Sequence, residues 1–307
     1  MRALFYCFLV ISLLSCKAKS AEEKALDAQI NYYDTNPSDS SAQALVLAFS
    51  KYAEINGVKD STSAKYLLKA AQVSEKHRQW NQALGFYKLY MINFPQRADQ
   101  ADRLVSVINI IDTLRKPELN QVLYRSFNER FKNDSRAATY LAKIDRTQIT
   151  VDSLLKEIGM KMFNDSIYRL DENMAHLYVD ASEAAVMAQP DLPDAPEYLH
   201  RAAETARTLR DIPKAITLYD WIIEQYPNHP RGATSLFLKA FTFDNDLKDF
   251  QNAKKYYDEF LQKYPDNEFA ESARFLLDNL GKSEEELKQI LEEKSKQHMD
   301  QAKKQAK

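Results

Sequence analysis

From Ser41 onward the chain repeats one habit, with apolar positions three and four residues apart and polar turns between the runs. Leu45, Ala48, Phe49 and Tyr52 set that spacing over Ser41–Glu54. The stretches 100–114, 118–131, 135–144, 151–162 and 171–188 each predict one further amphipathic helix. A stripe of this kind must be buried against another element, so the pattern predicts helix packed on helix.

Three segments align without gaps over a helix–turn–helix unit. The first carries Leu67, Ala70, Ala71, Ala83, Tyr87, Tyr90 and Pro95; the second Leu199, Ala202, Ala203, Ala215, Tyr219, Ile222 and Pro227. The third carries Phe237, Ala240, Phe241, Ala253, Tyr257, Phe260 and Pro265. In each, an alanine is followed four residues on by tyrosine and later by an aromatic–proline pair: Phe94-Pro95, Tyr226-Pro227 and Tyr264-Pro265. Small residues let two antiparallel helices approach, the tyrosines fill the groove between units, and proline ends the second helix because it lacks an N–H.

This pattern resembles the tetratricopeptide repeat. The resemblance implies an all-α fold, a superhelix of antiparallel helix pairs (an α–α solenoid). The departure is Phe241, where the family places a small residue. The loop Asn228–Ala233 lengthens the last interval, and with this linker the stretch Ala195–Gly281 is similar to two periplasmic families. One is the tetratricopeptide lipoprotein of the β-barrel assembly machine (the BamD family). The other is the coordinator associated with Tol–Pal (the YbgF family). In the tetratricopeptide family the first helix of each pair forms the concave wall. Carried onto this sequence, that wall comprises Gln72 and Glu75, then His200, Glu204 and Arg207, then Thr242 and Asn245. The set is polar and mixed in sign, which suits an extended peptide or a protein surface better than a small molecule.

The two ends differ from the body. Met1-Arg2 precedes a 12-residue apolar run, Ala3–Leu14, too short for a hydrocarbon core of about 30 Å but right for a secretory leader. Leu13-Leu14-Ser15-Cys16 resembles the lipobox of bacterial lipoproteins, which implies cleavage after residue 15 and acylation of Cys16. An ordinary leader with an incidental cysteine is the alternative. Lys17 stands where aspartate would, by resemblance to enterobacterial sorting, retain the protein at the inner membrane, so the expected location is the outer membrane, facing the periplasm, with exposure at the cell surface as the alternative. The other cysteine, Cys7, lies in the leader, so the mature chain has no internal disulfide.

The expected organisation is a leader at 1–15, an anchor-proximal linker at 16–40, partly degenerate helical repeats at 41–188, clear repeats at 189–281 and a charged, solvated tail helix at 282–307. Three prolines in Gln189–Pro196 make that stretch the best candidate for a hinge, with an ordinary inter-repeat loop as the alternative. In the tail, Ser283 and Glu286 form a capping box. Its first turns are expected to cap the last repeat; a partner-binding helix is the sharper alternative.

Only five of 307 residues are glycine, which disfavours hairpin-rich β folds and glycine-rich phosphate loops. Lys plus Arg number 42 against 44 Asp plus Glu, a balance that gives no reason to expect nucleic acid. No two of the five histidines stand at i,i+4 and no nucleophile elbow occurs, so neither metal, cofactor nor enzymatic activity is expected. Trp80 and Trp221 read as packing between repeats, with partner anchoring as the alternative. The leading expectation is an envelope scaffold that holds another envelope protein, in outer-membrane protein assembly or in Tol–Pal-type coordination. A surface glycan binder of the SusD type is the other class, though it would need exposed aromatic platforms.

Overall fold

The computed structural model describes residues 19–58, 60–164, 169–283, 285–290, 292, 293 and 296; the leader and Cys16 lie outside the described residues. Among the described residues there are fourteen helices and one two-residue antiparallel hairpin, and no helix is long and apolar enough to cross a membrane. The chain divides into two compact units, 1–97 and 98–307.

The first unit holds α1 (Ala21–Thr35), α2 (Asp39–Asn56), α3 (Ser61–Lys76) and α4 (Trp80–Asn93). The segment 16–40, expected to be a linker, therefore contains a helix. Its start is fixed by a capping box: Glu23 N–H donates to Ser20 Oγ at 3.2 Å and Ser20 N–H to Glu23 Oε2 at 2.9 Å. Leu26 and Tyr33 are its buried side chains. The Tyr33 hydroxyl meets His77 Nε2 at 2.9 Å while His77 Nδ1 meets Asp39 at 2.6 Å, so one imidazole at the end of α3 ties α1 to the start of α2.

The second unit runs through α5 (Gln100–Thr113), α6 (Pro117–Arg130), the short α7 (Ala137–Leu141) and α8 (Val151–Lys161). The strands β1 (Phe163–Asn164) and β2 (Arg169–Leu170) pair Phe163 with Leu170, and α9 (Glu172–Ala188) follows. Then come α10 (Ala195–Thr208), α11 (Ile212–Gln225), α12 (Pro230–Asn245), α13 (Phe250–Lys263) and α14 (Ala270–Asp278). Each helix from α9 to α14 packs on the next, and α9 also packs on α6 and α8.

One turn recurs. Arg78, Arg115, Arg210 and Lys248 take left-handed backbone conformations, φ 56°, 56°, 64° and 54°, each between the two helices of a pair. The next amide reaches back to close the helix end: Gln79 to Ser74 O, Lys116 to Ile111 O, Asp211 to Ala206 O and Asp249 to Phe243 O. Counted from these turns, the pairs α3–α4, α5–α6, α10–α11 and α12–α13 share one register. Nine residues after the turn, Tyr87, Tyr124, Tyr219 and Tyr257 are all buried. Five residues after it stand Ala83, Asn120, Ala215 and Ala253, also buried. The pair α5–α6 is thus a fourth copy, with Asn120 in place of alanine and Lys132 in place of the terminal proline. Ala71 and Ala203 are fully buried in their first helices.

The aromatic–proline ends link successive pairs. Tyr264 OH donates to Pro227 O at 3.3 Å, and Tyr226 OH to Pro190 O at 2.8 Å. Pro190 therefore does for one pair what Pro227 does for the next, and residues 189–194 form an inter-repeat loop inside the second unit, with Ala195 and Pro196 opening α10. Gly232 opens α12 against the same kind of turn; a Cβ there would stand 2.9 Å from Tyr226 O and 3.1 Å from Pro227 O. Beyond α14, Glu286 N–H donates to Ser283 Oγ at 3.3 Å and Ser283 N–H to Glu286 Oε2 at 2.7 Å, and residues 285–290 are helical.

Candidate binding surface

In the second unit the first helices of neighbouring pairs, α10 and α12, lie side by side. Three polar links join them. Arg231 Nε contacts both oxygens of Glu197 at 2.9 Å, and its Nη2 lies 2.9 Å from Oε2. This fork geometry holds the Glu197 carboxyl below its ordinary range. Further along, Arg207 Nε donates to Asp246 at 2.5 Å, and its guanidinium lies 5.1 Å from the centre of the Phe241 ring. Arg210 approaches the same carboxylate at 3.8 Å.

His200, on α10 and within electrostatic reach of Glu197 and Arg231, is only 4% exposed. Its Nε2 is 3.4 Å from Glu204, while Nδ1 has no hydrogen-bond partner. Burial, with the positive charge of Arg231, lowers its pKa to about 4. Glu204 is exposed beside it. Asn245, half-buried, borders a shallow hollow of about 70 Å³ with Phe241, Lys248, Leu276 and Leu287. Leu287 brings the first turn of the tail against the last repeat.

The wall inferred from the sequence is therefore only partly a surface. Gln72 and Glu204 are exposed, Arg207 and Asn245 half-buried, and His200 and Thr242 buried. Thr242 donates to Leu238 O at 2.8 Å and faces no solvent. The reason is local: Asp249 N–H reaches back six residues to Phe243 O, whereas the other three turns reach back five. The wider turn shifts the register of α12 by one residue, so Thr242 takes the place of the buried Val73 and Thr205 rather than that of Gln72 and Glu204. In the first unit, Glu75 accepts from Tyr87 OH at 2.5 Å and so serves its own helix pair.

Sequence reasoning missed Glu197, Arg231 and Asp246, which do most to shape this surface. The first two are 34 residues apart, and the only sequence signal is one repeat period between opposite charges. Trp221 is buried and Trp80 half-buried, which places Trp221 in packing. Among the described residues no group of three His, Cys, Asp or Glu side chains could hold a metal ion.

These features define a class: an all-α protein of stacked helix pairs whose first helices present a mixed-charge polar face. Within that class, the sequence model of the tetratricopeptide repeat matches residues 234–267, which span most of α12 and all of α13. The chain thus contains a tetratricopeptide repeat, a unit that generally mediates protein–protein contact. No curated protein matches the chain.

Proposed function

We propose that this protein is a scaffold of the bacterial envelope, tethered to the outer membrane through an acylated Cys16 and serving the assembly of outer-membrane proteins. The observation that carries the scaffold reading is the tetratricopeptide match at 234–267, on α12 and α13; α12 carries the half-buried Asn245, and the neighbouring α10 carries the exposed Glu204 and the half-buried Arg207. A partner with alternating charge, an extended segment or a protein surface, complements the Glu197–Arg231 and Arg207–Asp246 pairs. The tether is supported by the leader-like Ala3–Leu14 and the Leu-Leu-Ser-Cys ending at Cys16. Several acyl chains on one residue anchor stably, since each buried CH₂ contributes about 0.8 kcal/mol.

The test is site-specific photo-crosslinking in the native envelope, with the crosslinker at Glu204 on α10 or at the exposed Thr217 on α11. The expected result is one envelope protein captured at 204 and not at 217, and that protein a component of barrel assembly. Capture of a Tol–Pal component would move the role to envelope coordination. Capture at neither position, or equally at both, would contradict the α10–α12 surface.

A further inference from the structure

The first helix pair has an outer face that no other described element covers. Between α1 and α2 lies an open groove of about 420 Å³, with Leu26 and Tyr52 at its floor and Ala25, Ala48 and Ile55 on its walls. Its lining is mostly apolar. Leu47, Lys51 and Ile55 follow at i, i+4 and i+8 along the outer side of α2, and Leu47 is 71% and Ile55 58% exposed. Large aliphatic side chains this exposed on one stripe mark a contact surface rather than a solvent face.

The position of the groove says what covers it. Ala21, one of its lining residues, is five residues beyond Cys16. Five residues of chain span at most about 18 Å, so an acyl group on Cys16 would keep the start of α1 within that distance of the bilayer surface. Lys51 stands at the groove wall and forms no ion pair among the described residues. Long ammonium side chains bordering an apolar stripe reach the headgroup layer while their stems stay in apolar contact. Glu22 at the rim offsets part of that charge, so the contact depends on apolar insertion more than on anionic lipid.

We infer that the outer face of α1–α2 rests on the lipid surface, with Leu47 and Ile55 entering the headgroup–acyl boundary. The inference relies on acylation of Cys16. It makes the anchor a two-point contact, a lipidated cysteine and a docked helix pair, in place of a free tether.

The test uses the mature full-length protein on phosphatidylcholine–phosphatidylglycerol vesicles, with a nitroxide on Leu47→Cys, on Ile55→Cys or, as control, on Leu247→Cys. Collisions with oxygen and with a water-soluble nickel chelate report depth, and the mass of the N-terminal peptide reports acylation of Cys16. The expected result is an oxygen-to-nickel ratio several-fold higher at 47 and 55 than at 247, little changed by salt. An acylated protein whose labels at 47 and 55 are as water-accessible as that at 247 would overturn the lipid contact and leave the anchor standing. An unmodified Cys16 would overturn both. Dipolar broadening between labels at 47 or 55 would show a second copy on this face and would also overturn it. Leu47 is the safer substitution, since its side chain already stands in solvent.

Discussion

The pairs α5–α6 and α10–α11 share a backbone register but are joined by different chemistry. In α10–α11 the joint is apolar: Ala215 and Trp221 are buried on α11, and Tyr219 is buried with a hydroxyl that has no hydrogen-bond partner. In α5–α6 the matching positions are Asn120, Ser126 and Tyr124. Asn120 Nδ2 and Tyr124 OH both donate to Asp112 Oδ1, the latter at 3.0 Å. Burial and that hydrogen bond push the Tyr124 hydroxyl up to about 12. The next residue, Arg125, is buried and donates to Ile149 O, Gln121 O, Arg146 O and Asp145. It thereby pins the irregular segment between α7 and α8. The helix-pair geometry thus accommodates either a dry or a polar joint at the same positions.

The largest expected effect is at the polar joint. Arg125→Met should destabilise the protein by roughly 3 kcal/mol, because several buried carbonyl groups lose their donor at once. Denaturant unfolding checks it, and hydrogen exchange should show the opening concentrated at 142–150. An equal loss of protection throughout α10–α13 would erase the contrast between the two pairs.

Next in size is a pH response confined to the α10 side. His200 has a folded pKa near 4, below its ordinary 6.5. A base with a depressed folded pKa binds more protons when unfolded. Its contribution is therefore complete above about pH 6.5 and is lost as pH falls toward 4. At pH 5 the loss is about 2 kcal/mol. His200→Gln should flatten the stability profile between pH 7 and 5; an unchanged slope in that variant would place the titration elsewhere.

Part of this was legible in the sequence. The alanine–tyrosine–proline signature marked three pairs because it combines close approach, groove filling and helix termination in a fixed order. The fourth pair was hidden by Asn120, Ile108 and Lys132, which keep the register but break the residue pattern. The capping box Ser20–Glu23 was readable, yet α1 carries only two buried side chains, too sparse a stripe to stand out. Exposure along α10 and α12 was legible only at Glu204. The burial of Thr242 goes with a turn one residue wider around Lys248, which the residue pattern does not show.

The smallest effect tests the central claim most directly, that one register carries two chemistries. Tyr124→Phe and Tyr219→Phe remove the same atom from equivalent positions. The first removes a donor from Asp112 and should cost about 1 kcal/mol; the second removes a buried hydroxyl without a partner and should be neutral or stabilising by up to about 1 kcal/mol. Opposite or clearly unequal shifts in the urea midpoint, at unchanged m-value, are the predicted result. Equal losses in the two variants would contradict the account.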